Sequence, residues 1–271
     1  MISTFHWRVA AAALLAALAL ARPQAALAAP AVQLDDLTWT EVRDALRAGT
    51  TTIIIPVGGT EQSGPHMALG KHNVRATALA GRIADRLGNA LVAPVVSYVP
   101  EGRVSPPGGH MRFPGTISVP DDAFAAIVSG AARSFRQHGF LDIVLIGDHG
   151  GYQGQLRDVA QRLNKEWAGS RTRAHFIAAY YQAASEGFSQ ALKAKGLTGA
   201  QIGVHAGAAD TSLMLAVDPA KVRADRLQPG TEAATGVVGD PSRASAALGK
   251  IGIDMAVDQA VDAIRQALKT H

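Results

Sequence analysis

Two segments carry residues that could do chemistry: Pro56-Val57-Gly58-Gly59-Thr60-Glu61-Gln62-Ser63-Gly64-Pro65-His66 and Gly147-Asp148-His149-Gly150-Gly151. Each follows a β-branched apolar run and ends in a glycine-rich turn bearing a carboxylate or an imidazole. Strand ends feeding loops are where open α/β sheets build ligand crevices, because side chains converge there while the strand stays rigid. The arrangement points to a metal site. With no cysteine in the chain, thiolate ligands, a cysteine nucleophile and disulfides are excluded, so ligands must come from His, Asp and Glu. The second segment misses the dinucleotide fingerprint, since its glycines fall as GxxGGxxG rather than GxGxxG. A serine hydrolase has no support either: GxSxG is absent, and Ser63 precedes Gly64-Pro65 instead of opening a helix.

The elements that must position these residues follow from periodicity. A helix is predicted over 37–48, with Thr38 or Thr40 as its N-cap, then a buried strand over 51–57 built on Ile53-Ile54-Ile55. Leu79, Ile83 and Leu87 recur at a four-residue step, giving a helix over 74–87 closed by Gly88, with Lys71 and His72 in the loop before it. A strand over 90–96, a helix over 121–138 stopped by Gly139, and a strand over 141–146 come next. The alternation continues with a helix over 155–167, a strand over 174–179, an apolar helix over 212–217 and a closing helix over 253–268. Strands alternating with helices predict an α/β fold, layered α/β/α with a mainly parallel sheet, in one domain over 29–271. Two long loops, 99–115 and 228–250, interrupt it; the first, rich in Pro and Gly, is long enough to be functional.

Composition limits the partners. At 271 residues with 48% hydrophobic and 18% charged content, the chain can bury a full core. Residues 1–28 read as a secretory signal: His6 and Arg8 form a basic start, 9–21 an apolar stretch, and Ala26-Leu27-Ala28 a cleavage site, which predicts a periplasmic or secreted protein cut after Ala28. The apolar stretch is too short to span a bilayer, so no membrane association is expected after cleavage. Cleavage removes Arg8 and Arg22 and no acid, lowering the net charge from +4 to +2. No Lys/Arg stripe with interleaved aromatics remains, which argues against a nucleic-acid partner; the partner expected at the metal site is a small-molecule substrate.

Taken with Phe113-Pro114-Gly115-Thr116, His205-Ala206-Gly207 followed by Asp210-Thr211-Ser212, and Gly239-Asp240-Pro241, the two opening segments resemble the creatininase (creatinine amidohydrolase) family in order and spacing over about residues 37–250. The resemblance implies metal-dependent hydrolysis of cyclic amides or related C–N bonds, a homo-oligomer, and two divalent metals, zinc or manganese, on five protein ligands. Matched by position, the chain keeps Glu61 and His149 and departs at three others: Ser63 for a His, His72 for the bridging Asp, and Gly151 for a second-metal Glu. A carboxylate can join two cations, whereas a neutral imidazole holds one. The departures therefore predict a single divalent ion on Glu61, His72 and His149, with zinc as first choice and manganese or iron also suited, activating a water for attack.

His205 lies where the family has a proton-handling histidine, suited to protonating a leaving nitrogen. Asp210, at a family Glu position, would orient it or complete the metal site, a part His66 could also play. Otherwise His66 and His110 read as packing histidines of glycine- and proline-rich loops, and His138 and His175 as structural or surface residues. The tryptophans that close over creatinine in the family are absent, and Tyr180 and Tyr181 occupy that interval. A rival reading is a non-catalytic protein that binds a small molecule or a metal on the same fold.

Overall fold

The computed structural model describes residues 31–269; the predicted signal segment lies outside the described residues. Along the chain come α1 (Trp39–Arg47), β1 (Thr52–Val57), α2 (Lys71–Leu87), β2 (Ala90–Val92), α3 (Asp121–His138), β3 (Asp142–Gly147), α4 (Gln153–Glu166), β4 (Arg173–Phe176), α5 (Ala178–Gln182), α6 (Phe188–Ala194), α7 (Gly199–Ile202), α8 (Ala208–Val217), α9 (Glu232–Thr235) and α10 (Ala246–Leu268). The four strands form one parallel sheet in the order β2-β1-β3-β4, with β1 paired to β3 along its whole length.

Both faces of the sheet are buried, which is why its strands read as continuous apolar runs. Ile54, Val144 and Ile146 point to one face and pack with Leu79 and Ile83 of α2 and with Ile253, Val257 and Val261 of α10. Ile53, Ile55, Ile143 and Leu145 point to the other and meet Phe124 and Val128 of α3, Leu156 and Val159 of α4, and Trp167. This is the expected α/β/α layering.

Element boundaries differ from the sequence reading for local reasons. Helix α2 begins three residues early, with Gly70 as its N-cap, so Lys71 and His72 lie in its first turn rather than in a loop. Strand β2 ends at Val92, because Pro94 cannot donate to a ladder, and beyond it only a bridge joins Val57 to Val96. Past Phe176 the chain turns helical at Ala178, two alanines favouring helix over strand, and a π-helical turn at Ala183–Gly187 joins α5 to α6. Helix α10 starts at Ala246, capped by the Ser245 hydroxyl, and runs through Gly249. A Cβ at Gly249 would lie 1.8 Å from the Ser212 carbonyl oxygen, so this glycine permits close packing on α8 and does not break the helix.

Candidate metal centre

The chain leaves β1 for a neighbour on one side, β2, and then crosses to β3 on the other, so the loops after β1 and β3 diverge at the carboxyl edge of the sheet. That switch point is where a parallel sheet opens a crevice. Glu61 sits on the loop after β1, and Asp148 and His149 sit on the loop after β3. Tyr152 ties the two together: its hydroxyl approaches the carbonyls of Val57 and Gly58 at 2.8 and 2.5 Å and accepts from the His149 N–H at 3.0 Å. Thr116 of the Phe113-Pro114-Gly115-Thr116 motif accepts from the Gln62 N–H at 3.1 Å, and Ile117 N–H donates to the Thr60 carbonyl at 2.9 Å. The long 99–115 loop is thereby braced against the Glu61 turn.

His205 is placed by backbone packing. It bridges to Val238, with Val238 N–H donating to the His205 carbonyl at 2.8 Å. A Cβ at Gly203 would lie 1.9 Å from the Val238 carbonyl oxygen, and one at Gly239 would lie 2.6 Å from Gly207 Cα, so the glycines of these motifs let two backbones touch. Between them Ala206 holds a left-handed φ of 56°, with its N–H bound by Asp210 Oδ2 at 3.0 Å.

Four side chains converge: Glu61, Glu101, His110 and His149 each offer a ligand atom, and these atoms lie within 4.8 Å of one another. Glu61 is fully buried and Glu101 nearly so. Glu61 Oε2 accepts no hydrogen bond, while His110 Nε2 approaches it at 3.1 Å and His149 Nε2 at 3.6 Å. Both oxygens of Glu101 are buried without a hydrogen-bond partner, with His149 Nδ1 3.6 Å from Oε2. Buried carboxylate oxygens without a donor, facing two imidazoles, suit a divalent cation, whose charge compensates their desolvation. Burial, with the Glu61 carboxylate beside it, pushes the Glu101 carboxyl up to about 9, as expected where two buried carboxyl groups crowd one another. Burial holds His149 down at about 3 and lowers His110, leaving neutral imidazoles fit to ligate.

The other oxygen of Glu61 faces a charge network. His72 Nε2 lies 2.8 Å from Oε1 and Lys71 Nζ 3.3 Å from it. Burial by itself would raise the Glu61 carboxyl, but Lys71, His72 and His149 around it hold it well below the usual carboxylate range. His72 Nδ1 meets Asp148 Oδ2 at 2.6 Å, and Tyr180 donates to Asp148 Oδ1 at 2.8 Å. Arg75 donates to Asp148 at 2.6 Å and to Asp210 at 2.5 Å, while Lys71 donates to the other Asp210 oxygen at 2.5 Å.

Of the residues singled out from sequence, Glu61 and His149 belong to the four-residue group. His72 touches Glu61 yet spends its second nitrogen on Asp148, and Asp210 gives both oxygens to Lys71 and Arg75. His205 borders the group with Nδ1 3.7 Å from Glu61 Oε1, and its Nε2 donates to the Gln62 carbonyl at 2.9 Å. His66 is paired with the Thr211 hydroxyl at 3.0 Å and lies outside the group, and His175 pairs with Asp142 at 2.8 Å. Glu101 and His110 were not singled out as ligands from sequence; the only signal was the unusual length of the loop that carries both. A cleft of about 630 Å³ opens over the group, with Tyr181, Ser185, Lys193 and Arg112 on its walls.

The creatinine amidohydrolase family profile matches residues 35–264. Creatinine amidohydrolase of Pseudomonas putida is 29% identical over 257 residues, covering 87% of this chain and 96% of that one. The mycofactocin precursor peptide peptidase of Mycobacterium tuberculosis is 28% identical over 243 residues, covering 80% and 85%. Among solved structures, a manganese creatininase superposes with a TM-score of 0.72 at 29% identity, covering 88% of this chain and 98% of that one. A creatininase variant of Zn-Zn type gives 0.71 at 28% identity, covering 88% and 99%. With the family profile matching most of the chain and these relatives covering it nearly end to end, the chain belongs to the creatininase family of metal-dependent amide hydrolases.

Proposed function

We propose that this protein hydrolyses a cyclic amide or a similar small C–N substrate with one divalent cation held by Glu61, Glu101, His110 and His149. The observation that carries this reading is the set of unpartnered buried oxygens on Glu61 and Glu101 beside His110 and His149, two neutral imidazoles that line the cleft. Zinc or manganese suits two imidazoles and two carboxylates, and such an ion supplies Lewis-acid polarisation of a carbonyl and an activated water. The cleft volume suits a small molecule.

The chain's own residues handle protons and orientation. His205 keeps its proton on Nε2 against the Gln62 carbonyl and turns Nδ1 toward Glu61. Burial and the nearby Lys71 bring its pKa down to about 4, so Nδ1 is unprotonated at neutral pH and open to a proton on its way from the attacking water to the leaving nitrogen. His72, between Glu61 and Asp148, fixes the orientation of the Glu61 carboxylate. The same reading includes export, resting on residues 1–28, and a homo-oligomer, resting on the family.

The test is turnover by the purified protein on a panel of lactams, lactones, formamides and short peptides, with and without chelator. Chelator-sensitive release of an amine from a lactam or formamide is expected and should vanish in His149→Ala. Ligand binding without turnover in zinc- and manganese-loaded protein would favour a binding role instead.

A further inference from the structure

Building on the single-ion reading above, we propose that the Lys71 ammonium and the Arg75 guanidinium stand in for a second divalent cation, so that this chain balances with fixed organic charge what two metal ions balance elsewhere in the family. Glu61 shows the substitution directly. Its Oε2 faces the two imidazoles of the candidate centre, while its Oε1 takes the His72 Nε2 at 2.8 Å and lies 3.3 Å from Lys71 Nζ. A carboxylate can join two cations, and here one of the two is an ammonium.

The places from which the family would draw its second set of ligands are closed to a metal. Ser63 is fully buried with its hydroxyl unpartnered, and it lacks a side-chain nitrogen to reach outward. A Cβ at Gly151 would come within 2.9 Å of the His149 ring, so no acid fits there without moving that imidazole. His72 has both nitrogens engaged by carboxylates.

Charge balance points the same way. Glu61, Glu101, Asp148 and Asp210 bring four negative charges to this buried region; Lys71 and Arg75 bring two positive ones, and His72, with an N–H on each of Glu61 and Asp148, brings a third. One divalent ion brings the balance to a single positive charge, whereas a second would leave an excess of three in a poorly solvated place. Lysine and arginine are rarely this buried unless paired, and Lys71 opens α2, the end at which the helix dipole opposes a cation. A cation placed there against the dipole, and shared between Glu61 and Asp210, belongs to the site's electrostatics.

Zinc titration of the metal-free full chain tests this, reading stoichiometry and Kd by calorimetry and metal content by mass spectrometry. Wild-type protein should bind one zinc per chain even in excess zinc; two tightly held ions would overturn the single-ion reading itself. Lys71→Met removes the charge and keeps the length, and should either bind a second zinc or hold its single zinc about tenfold tighter or more. Lys71→Arg should keep one zinc at about the wild-type Kd. A folded Lys71→Met protein with one zinc at the wild-type Kd overturns the stand-in proposal while leaving the single-ion reading intact. If Lys71→Met does not fold by circular dichroism, the charge-neutral pair Lys71→Met with Asp210→Asn decides: one zinc within about tenfold of the wild-type Kd supports charge balance, and a larger change refutes it.

Discussion

Replacing Glu101 by Gln removes one of two carboxylates buried against each other and keeps its shape. In the metal-free protein, burial and then Glu61 raise the Glu101 carboxyl from its ordinary 4.5 to about 9. Between those values the folded chain holds a proton that the unfolded chain has released, so its stability falls as pH rises. From pH 5 to pH 8 the penalty grows by three pH units, about 4 kcal/mol at about 1.4 kcal/mol each, and about 2 kcal/mol where water partly solvates the pair. His149 and His205 are buried neutral in both proteins, so the difference between variant and wild type isolates Glu101. Urea denaturation with chelator present, at pH 5 and pH 8, should show Glu101→Gln gaining about 2 to 4 kcal/mol on the wild type at the higher pH. Added zinc should then stabilise the variant far less than the wild type, because the charge that held the ion is gone. A stability gap identical at both pH values would refute the argument that the two carboxylates are confined together.

Tyr152→Phe leaves the Val57 and Gly58 carbonyls and the His149 N–H without their shared partner. A loss of about 1 to 3 kcal/mol by denaturation, with a fall in turnover as the two loops loosen, is expected; an unchanged midpoint and rate would show that the hydroxyl braces nothing. Gly59→Ala places a Cβ 2.4 Å from Glu101 Oε1 at a residue with φ of 148°, so the side chain displaces Glu101. Zinc affinity should drop by about tenfold or more as one ligand is lost, and wild-type affinity in that variant would contradict a ligand role for Glu101.

Glu61 and His149 were legible as a site because each closes a short glycine-rich motif at the end of a strand, and both the strand and the motif are local patterns. The layered fold was legible for the same reason: Ile53 to Ile55 and Ile143 to Ile146 announce strands buried on both faces. The start of α2 was less so, since Lys71 and His72 break the apolar periodicity that marks a helix, and their burial depends on acids far away in the chain.

What the sequence determined by itself was the set of elements, their alternation and the family, because hydrophobic period and turn chemistry act over a few residues. Only the tertiary structure decided which charges meet. Glu101 and His110 reach Glu61 from a loop with no periodicity, and Asp148 and Asp210 are drawn to Arg75 across 73 and 135 residues of chain. The strength of such contacts depends on distance in space and on exclusion of water, and neither is written in the spacing of residues along the chain.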